Sequence, residues 1–314
     1  MRIAITYKTI MKNIIPITLL LTAIVGTTIV SWQKFITQLP AINQKSQRFS
    51  GERALQNVEY QISLGPRIPG TQGHRDTISW IFTKLAETGW EAEIQQGEML
   101  GQTIQNVIGK REGVGDSNRS WIIIGAHFDT RIYADEDPDP DKRTQPVPGA
   151  NDGASGVAVL LELARILPVD LKQDIWLVFF DAEDNGNIPG WDWIMGSRYF
   201  VNSLQGKPNA AIIVDMIGDA DLNIYLERGS DQELSAEIWS VAADLGYSQF
   251  IPFPKYNILD DHVPFLEAGI RAIDIIDFDY PYWHTTEDTL DKVSSESLEA
   301  VGETLRVWLL RENR

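Results

Sequence analysis

Cysteine is absent from the 314 residues, which removes disulfide staples, thiolate metal ligands and a cysteine nucleophile at once. Histidine is scarce, with four copies at positions 74, 127, 262 and 284. Positive charge is short as well: 27 Lys and Arg stand against 44 Asp and Glu, a formal net charge of -17. A field of that sign opposes binding to nucleic acid or to an anionic membrane surface. There is no internal repeat and no sign of large-scale disorder, and a hydrophobic content of 43% is ordinary for a packed globule. Any metal must therefore be held by His, Asp and Glu.

One stretch lacks charge of either sign. Between Lys12 and Lys34 the chain is apolar apart from scattered Thr, Ser and one Pro, and at about 1.5 Å per residue it can cross a hydrocarbon core roughly 30 Å thick. Arg2, Lys8 and Lys12 precede it, which by the positive-inside tendency keeps the N-terminus cytoplasmic. Residues 1–32 are expected to be a signal anchor and 33–50 a polar linker, with a catalytic domain over 51–314 outside the cytoplasm, at the cell envelope. Membrane contact is then confined to the N-terminal segment. A cleaved signal peptide, giving a secreted or periplasmic protein, is the alternative; the apolar core is long for one, and no convincing small-x-small site follows it.

Beyond the linker, helical and strand signals alternate. Helical spacing runs through Arg53 to Leu64, Thr77 to Thr88, the stretch after Asp152, Asp231 to Leu245 and Ser295 to Leu310. Strands are expected at Ile104 to Lys110, Trp121 to Gly125, Ile175 to Phe180, Ala211 to Met216 and Ala272 to Ile276. Near-continuous apolar runs of that length mark strands buried on both faces, and their alternation with helices argues for a mostly parallel sheet covered on both sides. Ligands then bind beyond the carboxyl ends of the strands. The segment Tyr133 to Pro148, containing DEDPDPDK, reads as a solvated surface loop, with a calcium site as the lesser alternative.

Short acidic motifs sit at those strand ends: AHFDT from Ala126, GANDGASG from Gly149 and FFDAED from Phe179, followed far downstream by YWHT from Tyr282. Singly, each has an ordinary explanation. Asp152 opens a helix, where aspartate is a common N-cap, and a lone histidine is more often structural than a ligand. Together they are several acids and two histidines with no Lys or Arg in the acid-bearing turns, and converging carboxylates repel unless a cation or shared proton offsets them. A divalent ion is the expected solution.

The order HFD, NDGASG, FDAED, VDMIG, DDHVPF and HTTEDT resembles the zinc-dependent aminopeptidase superfamily, whose relatives include the glutaminyl cyclases. GPRIPGTQGH from Gly65 resembles the N-terminal signature of that group. The resemblance implies an α/β/α sandwich with a mostly parallel, mixed central sheet. It also implies Asp152, Asp184 and His284 as zinc ligands and Glu183 as general acid/base. In the aminopeptidases, His127 and Asp215 would add a second zinc. Asp260-Asp261 before His262, and Trp283 beside His284, are similar to the cyclases, with Trp191 or Trp193 near the second pocket wall. Of these two, Trp191 is the expected wall and Trp193 the expected core residue. GANDGASGVA is worded more like the aminopeptidases, and Asp184 stands where both groups most often carry Glu.

The cyclase branch implies one zinc and the conversion of an N-terminal glutamine of a peptide or protein to pyroglutamate, with Glu183 as base, Asp260 steadying the leaving nitrogen and Asp215 nearby. The alternative is a two-zinc aminopeptidase. A non-catalytic peptidase-like binding ectodomain is the remote one.

Overall fold

The computed structural model describes residues 47–115 and 119–312. The expected anchor at 1–32, and the linker as far as residue 46, lie outside them. Among the described residues no helix is long and apolar enough to cross a membrane. Phe49, inside the stretch read as linker, is 2% exposed, and its amide donates to Glu303 Oε2 at 3.0 Å. Packing therefore begins before the first helix.

That helix, α1 (Gly51–Ser63), is capped by the Ser50 side chain, which accepts from the Arg53 amide, satisfying one of the orphan donors of the first turn. It is followed by α2 (Gln72–Glu87), β1 (Glu91–Met99), β2 (Gln102–Arg111), β3 (Trp121–His127), α3 (Ala154–Ile166), β4 (Asp174–Phe180), α4 (Met195–Ser203) and β5 (Ala210–Asp215). Then come β6 (Ile224–Leu226), α5 (Gln232–Leu245), β7 (Phe250–Pro254), α6 (Val263–Glu267), β8 (Ala272–Ile276), a single 3-10 turn and α7 (Ser295–Glu312).

Six strands form the central sheet in the order β1-β2-β4-β3-β5-β8. From β4 to β8 the pairing is parallel, whereas β1 and β2 join antiparallel at one edge. Alternate residues of β3 enter two separate cores. Ile122, Ile124 and Ala126 pack with residues of α1, α2, α3, α5 and α7, and Ile123 packs with Phe200 of α4 and Phe265 of α6. The result is three layers, helix, sheet and helix, as the alternating pattern implied. Each fully buried Ile or Leu of this kind stabilises the fold by about 1.5–3 kcal/mol.

The central strands match expectation closely because their apolar runs are buried on both faces. Strand β1, EAEIQQGEM, was not expected. It is an edge strand with alternately exposed and half-buried residues, so no apolar run announces it; its pairing with β2 along its whole length makes it a strand. The short pair β6 and β7 lies outside the main sheet and was likewise missed.

Candidate metal centre

Four turns at the carboxyl ends of β3, β4, β5 and β8 deliver the site. Three of them hold non-glycine residues in the left-handed region: Ala182 at φ 52, Met216 at φ 46 and His284 at φ 54. Such positions cost about 1–3 kcal/mol each and persist where the surroundings over-determine them. Gly153 is needed for space, since a Cβ there would collide with the His127 imidazole.

Asp152, Asp184 and His284 each present a ligand atom, and these atoms lie within 4.8 Å of one another. His284 Nε2 is 2.7 Å from Asp184 Oδ1 and 3.7 Å from Asp152 Oδ2. A second trio, His127, Asp152 and Asp215, meets the same limit, with His127 Nε2 at 3.0 Å from Asp152 Oδ1 and 3.1 Å from Asp215 Oδ1. Asp152 belongs to both. Asp152 Oδ2 and Asp184 Oδ2 are buried without a hydrogen-bond partner, an arrangement that a protein interior tolerates poorly unless a cation takes up the lone pairs. With imidazole and carboxylate donors only, the residues fit zinc. The shorter Asp184 still reaches the cluster.

Electrostatics divide the acids. Burial opposes ionisation of Asp152, yet its bond to His127 and the charges of His127, His284 and Arg67 hold its carboxyl below the ordinary range. Burial and the neighbouring Asp152 push Asp184 up to about 6. Burial, followed by repulsion from Asp184, Asp260 and Asp261, drives Glu183 well above its usual range. Asp215 rises to about 7, chiefly through burial and against the pull of His127. Acids poised in that way suit proton transfer near neutrality.

Glu183, Asp260, Asp215 and the carboxylates of Asp152 and Asp184 line one cavity of about 220 Å³, walled by Trp193, Trp283, Met216, Ile276 and Phe278. The hydrogen bond that Asp215 makes goes to His127. The Trp283 indole stacks on His284 at 3.7 Å between centroids and 24°, and Trp193 lies nearly parallel to the same ring at 6.0 Å and 8°. The two tryptophans of the GWDW stretch thus take places opposite to those expected. Trp191 packs with Ile104, Ala182 and Met195, whereas Trp193 lines the cavity, its indole lying where a Cβ on Gly186 would be. Two residues apart in an irregular turn, they offered no periodicity by which to tell wall from core.

Residues behind these candidate ligands were also missed. The Asp129 carboxylate accepts from the amides of Glu183 at 3.0 Å and Asp184 at 3.4 Å and from Asn185 Nδ2 at 3.1 Å. Asp288 accepts from the amides of Asn151 and Asp152 at 2.8 and 3.2 Å and from the Tyr280 hydroxyl at 2.7 Å. Both lie inside the motifs HFDT and HTTED, so position within a motif was the available signal. Fully buried Arg67, from GPRIPG, pins the carbonyls of Phe128, Pro148 and Gly149 just ahead of Asp152. His74 instead pairs with Asp181 at 2.7 Å, which leaves that acid of FFDAED in a structural place.

A family model described as Peptidase family M28 matches residues 106–309. Glutaminyl cyclase from Porphyromonas gingivalis has a similar solved structure, with a TM-score of 0.78 and 34% identity over 84% of this chain and 98% of that chain. A Zn-dependent exopeptidase from Parabacteroides distasonis gives 0.78 and 30%, covering 86% of this chain and 100% of that one. Aminopeptidase YwaD of Bacillus subtilis is 28% identical over 289 residues, 82% of this chain, and the match spans 57% of the aminopeptidase.

Proposed function

This chain belongs to peptidase family M28, and we propose that within it the chain is a glutaminyl-peptide cyclotransferase, turning the N-terminal glutamine of a peptide into pyroglutamate with release of ammonia. The observation that carries this reading is the pair of indoles, Trp283 and Trp193, stacked on His284 and narrowing the cavity around it. A small, uncharged γ-amide folding back on its own α-amine suits such walls. A peptidase acting on varied side chains needs a wider opening.

Asp152, Asp184 and His284 would hold one zinc ion, which when bound supplies Lewis-acid polarisation of the γ-amide carbonyl. Glu183, with its raised carboxyl, takes a proton from the α-amine as that nitrogen bonds to the carbonyl carbon of the side-chain amide. It returns the proton to the departing amide nitrogen, so the carbon–nitrogen bond breaks and ammonia leaves. Asp260 lines the same cavity, and its carboxylate would accept a hydrogen bond from that leaving nitrogen.

The second reading is a two-zinc aminopeptidase, and the trio of His127, Asp152 and Asp215 is the observation that favours it. Offering the purified protein a Gln-initiated and a Leu-initiated peptide separates the two. Loss of one ammonia from the first peptide without cleavage, together with about one zinc per chain, is the expected result. Free leucine and about two zinc ions per chain would overturn it.

A further inference from the structure

The stretch from Tyr133 to Pro148, read from sequence as a solvated loop, is sewn to the turn that carries His284. The Glu136 amide donates to the His284 carbonyl at 3.3 Å. The Asp137 carboxylate accepts from both the amide and the hydroxyl of Thr286, at 3.0 and 2.7 Å, and Lys142 Nζ pairs with Glu287 Oε1 at 3.0 Å. Asp137 is 1% exposed, so its bonds to Thr286 are charge-assisted and shielded from water. His284 is the left-handed residue at φ 54, a conformation that a non-glycine side chain keeps only when its neighbours enforce it.

Arg131, just ahead of that stretch, has a side chain only 3% exposed. Its fork grips Asp135 through Nε at 2.7 Å and Nη2 at 2.6 Å. Nη1 donates to the carbonyl of Asp184 at 2.8 Å and to that of Gly186 at 3.3 Å, and the guanidinium lies 5.0 Å from the centre of the Trp193 ring. Asp135 Oδ1 in turn is 3.9 Å from His284 Nδ1, the ring nitrogen other than the one paired with Asp184. A carboxylate near the second ring nitrogen of a ligating histidine steadies the ring and raises its basicity.

We propose that Arg131 and Asp135 are positioning residues for the zinc site, with residues 134–143 as the brace that holds them. Asp135 sets its negative charge beside Nδ1 of His284 and so steadies the ring, and Arg131 clamps the Asp184 turn and the Trp193 wall against it. The proposal rests on the zinc ligands named above and is independent of which reaction the zinc serves.

Asp135→Asn keeps the shape and removes the charge, and Asp141→Asn, at an exposed acid of the same loop, is the control. Zinc affinity is read by chelator competition on the full chain, with the thermal midpoint of the metal-free protein beside it. The expected result is about a 10- to 100-fold weaker zinc affinity for Asp135→Asn, partial recovery in Asp135→Glu, parent-like binding in Asp141→Asn and an unchanged metal-free midpoint. Arg131→Lys should raise KM more than it lowers kcat, because one ammonium cannot hold Asp135, two carbonyls and an indole together. Parent-like zinc affinity in Asp135→Asn, or a loss matched by a falling metal-free midpoint, would overturn the role of Asp135; an unchanged KM in Arg131→Lys would overturn that of the arginine. Failure of the cyclase reading would show as free leucine and leave the zinc measurements as they are.

Discussion

Two acid-rich clusters lie buried in the molecule, and they differ in what their geometry permits. In the first, Asp152, Asp184 and His284 bring three ligand atoms within 4.8 Å of one another. In the second, His262 stands 3.3 Å from Glu227 and 3.8 Å from Asp274, with Asp261 also fully buried. Among the described residues, this deeper cluster gathers no such trio of ligand atoms. It balances its charge with protons and hydrogen bonds instead. Burial and the neighbouring Asp260 push Asp261 and Asp274 well above the ordinary carboxylate range. Glu227 goes the other way, to about 2: burial opposes ionisation, but His262 and the amides of Gly229 and Ser230 outweigh it. Acid content and burial alone therefore do not make a metal site; convergence of lone pairs does.

The largest effects should separate the clusters outright. Asp184→Asn is expected to abolish zinc retention on gel filtration, whereas Asp274→Asn should keep the parent's zinc content; equal loss in both would erase the distinction drawn between them. Next comes Glu183→Gln, for which kcat should fall by about 10²- to 10⁴-fold with zinc retained. Unchanged turnover would show that Glu183 is not the base, and no turnover even in the parent would point to the non-catalytic ectodomain.

Smaller effects refine the comparison. Trp193→Ala should raise KM for a Gln-initiated peptide by about 10- to 100-fold, the worth of one aromatic wall, while Trp191→Ala leaves KM near the parent value. The reverse order would return the wall to Trp191.

Glu227→Gln should cost about 1.5–3 kcal/mol in urea unfolding at pH 7, the worth of hydrogen bonds to a charged acceptor, with zinc content unaltered. Its folded pKa lies below the unfolded value of 4.5, so its contribution is present above about pH 4.5 and drains away as the pH falls toward 2. The parent should therefore lose stability over that interval more steeply than Glu227→Gln, and identical slopes would show that Glu227 is not the group responsible.

Much of the site could be read from residue order, because ligands on separate strand ends must recur in one sequence to converge in one place. Asp152, Glu183, Asp184, His284 and Trp283 were named from their motifs, and the structure brings all five to one cavity or its rim. The exchange of Trp191 for Trp193 and the roles of Arg131 and Asp135 were not readable. They depend on which way an irregular turn faces and on contacts between segments about 150 residues apart, such as Asp137 with Thr286.

The sequence by itself determined the layered α/β architecture and the donor set, since strands buried on both faces must be apolar throughout and a chain without cysteine leaves zinc only His, Asp and Glu. Tertiary structure alone decided which acids converge, which tryptophan walls the cavity and that an acidic loop is tied to the turn carrying His284. Those outcomes turn on distances of an ångström or two between distant segments, and neither composition nor periodicity carries that information.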